Sequence, residues 1–176
     1  MIKEKTLKEA VQKHKDGMYR LALSLLKSQA DAEDVLQDVF IKCWQNRRQI
    51  IINMDLGGYL MQSTRNRCLD IMKKHARKYE GSEGLNDEII AGGSNQMDYI
   101  ESVRWVEHFL NQLPEINRTV FHLREVEGLS FEEIQKITNN EISNIRTILS
   151  RTRKKLRKQL AQLEELEKKA IKTKTI

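Results

Sequence analysis

An all-α chain of two small helical domains joined by a flexible acidic linker is what the sequence predicts, on three observations. A single proline, Pro114, stands in 176 residues, and runs alternating with period two are scarce, so strands have little to build on. Apolar residues instead return at steps of three and four in every long segment. Between residues 80 and 98 the composition breaks: EGSEGLNDEIIAGGSNQMD has no Lys or Arg, yet holds five acids and four of the eight glycines, the mark of a linker. The predicted division is therefore 1–79, 80–98 and 99–176, with a helix-turn-helix in the last part.

The first helix is expected from about Thr6 to Ser28, where Leu7, Ala10, Val11, His14, Met18, Leu21, Ala22, Leu25 and Leu26 draw one stripe. In SQADAEDVLQDVFIKCW, Asp31 is the expected cap and Asp34 adds a carboxylate beside the open amides of the first turn. Val35, Leu36, Val39, Phe40, Cys43 and Trp44 form the inner face of this second helix, while Glu33, Asp34, Gln37 and Asp38 form an acidic ridge on the outer one. The loop NRRQIIINMDLGGY leads into a third helix over roughly Tyr59 to Tyr79. Leu60, Thr64, Cys68, Met72 and His75 mark its inner face; Arg65, Arg67, Lys73, Lys74, Arg77 and Lys78 lie opposite, with Asp70 the only acid among them.

Beyond the linker, helical patterning resumes from Tyr99 to Leu113. Pro114 suits the first position of a helix reaching about Val126, and Gly128 suits a left-handed stop. Ser130 and Glu133 have the spacing of a capping box, which predicts a short helix over Phe131 to Thr138. The last helix is expected from about Glu141 to at least Leu160 and Leu163.

With 31 Lys+Arg against 25 Asp+Glu, the net charge is +6, which favours a polyanionic partner. Cys43 and Cys68 both sit in apolar patterns, so buried reduced thiols are expected rather than a disulfide or zinc site. No stretch resembles a signal peptide or reaches the length of an apolar span, so the expectation is a cytoplasmic protein without membrane insertion. The four histidines are scattered, and the adjacent Glu132 and Glu133 point apart, which leaves no catalytic or metal-binding constellation. No enzymatic activity, cofactor or small-molecule substrate is expected.

A short capped helix, a three-residue turn and a longer helix have the order of a helix-turn-helix. The turn needs a residue at positive φ, and Asn139 stands where glycine is usual. Ile142, Ile145, Leu149 and Leu156 can hold the last helix to a core. Its other face offers Asn144, Arg146, Thr147, Ser150, Arg151, Arg153 and Lys154. Between Ile142 and Leu163 there are seven cations and no acid, whereas a merely solvated helix interleaves the two signs. An external anion, DNA above all, explains that excess; an amphipathic membrane helix fits less well, since the apolar face is spent on a small core.

AEDVLQDVF followed by Trp44, then YLMQSTRNRCLDIMKK, then LPEINRTVFHLREVEGLSFEEI through SRTRKKL resemble, in order and spacing, an RNA polymerase sigma factor of the extracytoplasmic-function type within the sigma-70 family. The resemblance implies a region 2-like domain over 1–79 and a region 4-like domain over 99–176. It implies that Glu33, Asp34, Gln37 and Asp38 bind core RNA polymerase. It implies that Asn53, Met54, Asp55, Arg65, Asn66, Lys73, Lys74 and Arg77 open and hold the −10 element of promoter DNA. On the −35 duplex it points to Arg146, Thr147, Ser150 and Arg151, with Asn144, Arg153 and Lys154 beside them. An anti-sigma factor is a further expected partner.

Tyr59 replaces the usual Trp, Gln135 a usual alanine, Ile148 a frequent cation and Ser150 a bulkier residue, so the preferred −35 sequence is expected to differ. The nineteen linker residues reach roughly 25 Å as coil and about 60 Å when extended, enough to serve both promoter elements. The alternative function is an autonomous helix-turn-helix regulator that binds an operator without polymerase.

Overall fold

A computed structural model describes residues 4–47, 55–79, 105–106 and 108–174, and among them no strand occurs. The linker 80–98 and the predicted −10 residues Asn53 and Met54 lie outside the described residues. Helix α1 (Glu4–Leu26) is followed by α2 (Gln29–Gln45) and α3 (Leu56–Tyr79). The second domain has helical residues 108–111, then α4 (Glu115–Phe121), a π-helical turn (His122–Val126), α5 (Phe131–Thr138) and α6 (Ile142–Lys174).

The three helices of the first domain pack pairwise, with α1 against both α2 and α3. Leu7, Met18, Leu21, Ala22 and Leu25 of α1 meet Ala32, Val35, Val39 and Cys43 of α2 and Leu60, Met61 and Cys68 of α3, all buried. Each fully buried Leu or Val contributes about 2 kcal/mol of transfer free energy. Among the described residues the one buried polar side chain of this core, Thr64, donates to the Leu60 carbonyl at 2.8 Å and so leaves no orphan hydroxyl. Burial pushes the Cys68 thiol up to about 12, and raises that of Cys43, so both stay protonated. Tyr59 packs against the same core, as a replacement for Trp requires.

In the first domain three boundaries differ from expectation, and in the second Pro114 precedes α4 as its cap instead of opening it. Helix α1 stops at Leu26, because Lys27 turns into the left-handed region (φ 60) and Ser28 caps the next helix. The cap of α2 is thus Ser28, whose Oγ accepts from the Asp31 amide at 3.2 Å, and not Asp31, which lies inside the first turn. Helix α3 begins at Leu56 rather than Tyr59, since the Asp55 carboxylate accepts from the Gly58 amide at 3.1 Å and starts the helix across both glycines.

In the second domain Val120, Phe121 and Leu123 meet Ile134 and Ile137 of α5 and Ile145, Ile148 and Leu149 of α6. Arg118, only 7% exposed, donates to the carbonyls of Leu110, Asn111 and Leu113 at 2.7–3.2 Å. It thereby satisfies the last turn of the preceding helical segment. The buried side chains of both domains belong to one continuous cluster, with α3 packed on α5 and α1 on α4.

Candidate nucleic-acid interface

Helices α5 and α6 are joined by residues 139–141, and the geometry of that junction is built locally. Ser130 Oγ accepts from the Glu133 amide at 3.2 Å while the Glu133 carboxylate accepts from the Ser130 amide at 2.7 Å, closing the capping box. At the far end Asn139 takes φ 55 and ψ 33, as the turn requires. Asn140 donates to the Thr138 carbonyl at 3.1 Å, and Asn144 donates to Asn140 Oδ1 at 2.9 Å, so the Asn144 amide is tied to the turn.

Ile142, Ile145, Ile148, Leu149, Thr152 and Leu156 face inward on α6, and Ile148 and Thr152 widen that face beyond the predicted set. Arg146, Thr147, Ser150, Arg151, Arg153 and Lys154 are exposed on the outside. The Arg146 guanidinium lies 5.1 Å from the centre of the Phe131 ring, and Arg124 lies 4.8 Å from the same ring. Thr147 Oγ1 donates back to the Ser143 carbonyl at 3.0 Å. Arg153 is held by Glu125 at 2.6 Å, so a phosphate must displace a carboxylate to reach it. Gln135 is exposed, with its amide outside the core.

The α3 residues divide into separate environments. Asn66, Lys73 and Arg77 are exposed along one stripe, while Lys74 lines a groove between α2 and α3. Arg65 is taken by Glu115 of the second domain through two bonds of 3.2 Å. Asp55 is exposed but engaged as the cap of α3.

On α2, Glu33, Asp34 and Gln37 are exposed, and Asp38 pairs with Arg67 at 2.6 Å. Ile41 continues this ridge one turn beyond Gln37 and is 51% exposed, an apolar end to an acidic face. Sequence reasoning passed over it, although its i+4 spacing from Gln37 places it on the same side. The groove beneath is walled by Asp34, Asp38 and Ile41 on α2 and by Ile71, Lys74 and His75 on α3. No helix among the described residues is long and apolar enough to cross a membrane.

Comparison with known proteins gives two family matches: Sigma-70 region 2 over residues 10–78 and Sigma-70 region 4 over residues 104–156. The ECF RNA polymerase sigma factor SigW of Bacillus subtilis is 30% identical over 161 residues, which is 85% of this chain and 86% of SigW. Among solved structures, the sigma factor RpoE in complex with the anti-sigma factor NepR, from Bartonella quintana, aligns with a TM-score of 0.75 at 26% identity, covering 89% of this chain and 98% of RpoE. CnrH in complex with the cytosolic domain of CnrY shares the fold with a TM-score of 0.68 at 18% identity, covering 91% and 90%.

Proposed function

The chain belongs to the extracytoplasmic-function RNA polymerase sigma factors of the sigma-70 family, and from that premise we propose how its two domains divide promoter recognition. It binds core RNA polymerase and directs it to promoters, and acts on DNA without bond-breaking chemistry of its own. The domains are 1–79 and 99–176, joined by 80–98. Region 2 meets polymerase through Glu33, Asp34, Gln37 and Asp38, with Ile41 as the apolar end of the same ridge. The basic stripe of α3 follows the −10 strand, and a base drawn from the stack costs a few kcal/mol that a pocket must return.

Region 4 reads −35 duplex through the outer face of α6. Arg146 and Arg151 are placed for guanine O6 and N7, a pairing worth about 1–3 kcal/mol of discrimination. Thr147 and Ser150 lie between them, while Asn144, Arg153 and Lys154 serve the flanking backbone. An anti-sigma factor is a natural inhibitor, because the similar RpoE is held by one. Such work places the protein in the cytoplasm.

The observation that carries this reading is the pairing of two opposite surfaces on one chain: an exposed acidic ridge on α2 and an exposed cationic face on the first half of α6, where no acid occurs between Ile142 and Leu163. An operator-binding regulator has no use for the first, so that alternative is not favoured. Transcription in vitro with core polymerase tests it. Arg151→Ala should lower initiation about tenfold at a promoter with a −35 element and barely at one without, whereas Asp34→Ala should lower both by weakening polymerase binding. Equal effects of the two substitutions on both promoters would refute the division.

A further inference from the structure

Two adjacent glycines, Gly57 and Gly58, stand in the first turn of α3, where helix propensity argues against both. In each case another group occupies the space a side chain would need. Gly57 is buried, and a Cβ there would stand 2.7 Å from Cε1 and 2.8 Å from Nε2 of His14. Packed carbons keep about 3.5–4.0 Å, so the imidazole from α1 fills the notch that Gly57 leaves. On Gly58 a Cβ would stand 2.6 Å from Asp55 Oδ2, and Oδ1 of the same carboxylate accepts from the Gly58 amide at 3.1 Å.

The flanking positions are held as well. Leu56 and Tyr59 pack against the hydrophobic core, and the Tyr59 amide donates to the Asp55 carbonyl at 3.0 Å. The first turn of α3 is thus set residue by residue, and Gly57 meets α1 through the His14 ring. Met18 and Leu21 of α1 with Leu60 and Cys68 of α3 are buried without it, so the ring adjusts position more than it holds the fold.

We propose that His14 is a positioning residue for −10 recognition: its ring, seated in the notch of Gly57, sets where the first turn of α3 lies on α1 and with it the place of Asp55. This rests on Asp55 and α3 serving the −10 element. Asp55 is exposed, yet its carboxylate is tied to the turn that the ring supports. A site that discriminates among ligands is held by packing to about 0.5 Å. Relaxing a 2.7 Å contact to about 3.5 Å exceeds that tolerance, whether the ring or the turn gives way.

Transcription in vitro with core polymerase, on one promoter and its single-base −10 variants with the −35 element kept constant, provides the test. For the wild type, initiation from the best and the worst −10 base should differ by about tenfold or more. His14→Ala should cut that ratio at least about threefold, with polymerase binding, dependence on the −35 element and helical circular dichroism unchanged. Gly57→Ala adds helix propensity to α3 but displaces the ring, so it should cut the ratio in the same way. In Gly57→Ala/His14→Ala the new methyl group takes space that the ring has left, and the ratio should return to within about twofold of wild type.

Such rescue has no counterpart in a role limited to stability, because the double variant carries both substitutions. Where His14→Ala also melts lower, the double variant, with the notch filled and no clash, carries the test. A ratio that His14→Ala leaves at its wild-type value, or single losses that multiply in the double variant, overturns the role of His14. A wild type that initiates equally from every −10 base overturns instead the assignment of the −10 element on which that role rests.

Discussion

Three residues carry more of the second domain than their type suggests. Arg118 is a cation inside the apolar run of α4, with four backbone carbonyls as its partners. Arg118→Met keeps the volume but strands those acceptors, and should cost about 3 kcal/mol in urea denaturation; a loss below about 0.5 kcal/mol would contradict the role. His122 and Glu127 make the same domain sensitive to acid. Burial lowers the His122 pKa below its ordinary 6.5, although Glu127 pulls it upward. Burial would raise Glu127, yet Arg20 and His122 outweigh it and hold the carboxyl below 4.5.

Well above pH 6.5 neither group binds protons differently on unfolding. Between 6.5 and its lower folded value the unfolded chain takes up the proton on His122 first, so stability falls with pH, and the Glu127 contribution follows below 4.5. The thermal midpoint should drop between about pH 7.5 and 5.5, and His122→Gln should flatten that drop; an equal drop in both proteins would remove His122 as its source.

At the scale of elements, α5 and its junction with α6 were legible because each part obeys a local rule: Ser130 with Glu133 at the start, Asn139 at the end, and a hydrophobic period between. Ser130→Ala should therefore cost about 1 kcal/mol, read as a lower denaturant midpoint, and Asn139→Gly should be nearly neutral while Asn139→Val loses about 1–2 kcal/mol. The start of α3 was harder to see, since Gly57 and Gly58 carry poor helix propensity and the Asp55 cap overrides it.

Ile148 and Thr152 lie at i+3 and i+7 from Ile145, so spacing alone indicates their burial. A hydroxyl and a family pattern that favours a cation hid them. The π-helical turn had no sequence signature, because what stabilises it is a contact with α1 more than a hundred residues away. Pair geometry between the domains, Arg20 with Glu127 at 2.7 Å and Arg65 with Glu115 at 3.2 Å, has the same origin, and composition could announce only that these four residues are charged.

For the whole molecule, packing between the domains and the outer face of α6 draw on different side chains. Helix α6 runs 33 residues, about 50 Å, and its outward cations remain accessible while Arg65 is covered. Duplex −35 DNA should therefore meet those cations with no contact between the domains having to break. Salt dependence sharpens this further. Each phosphate neutralised adds about 0.9 to the slope of log affinity against log salt on duplex DNA, so Lys154→Ala should lower the −35 slope by about one, while Arg151→Ala should act chiefly on the preference at its own base position. An unchanged slope for Lys154→Ala would mean that this side chain meets no phosphate of the −35 duplex.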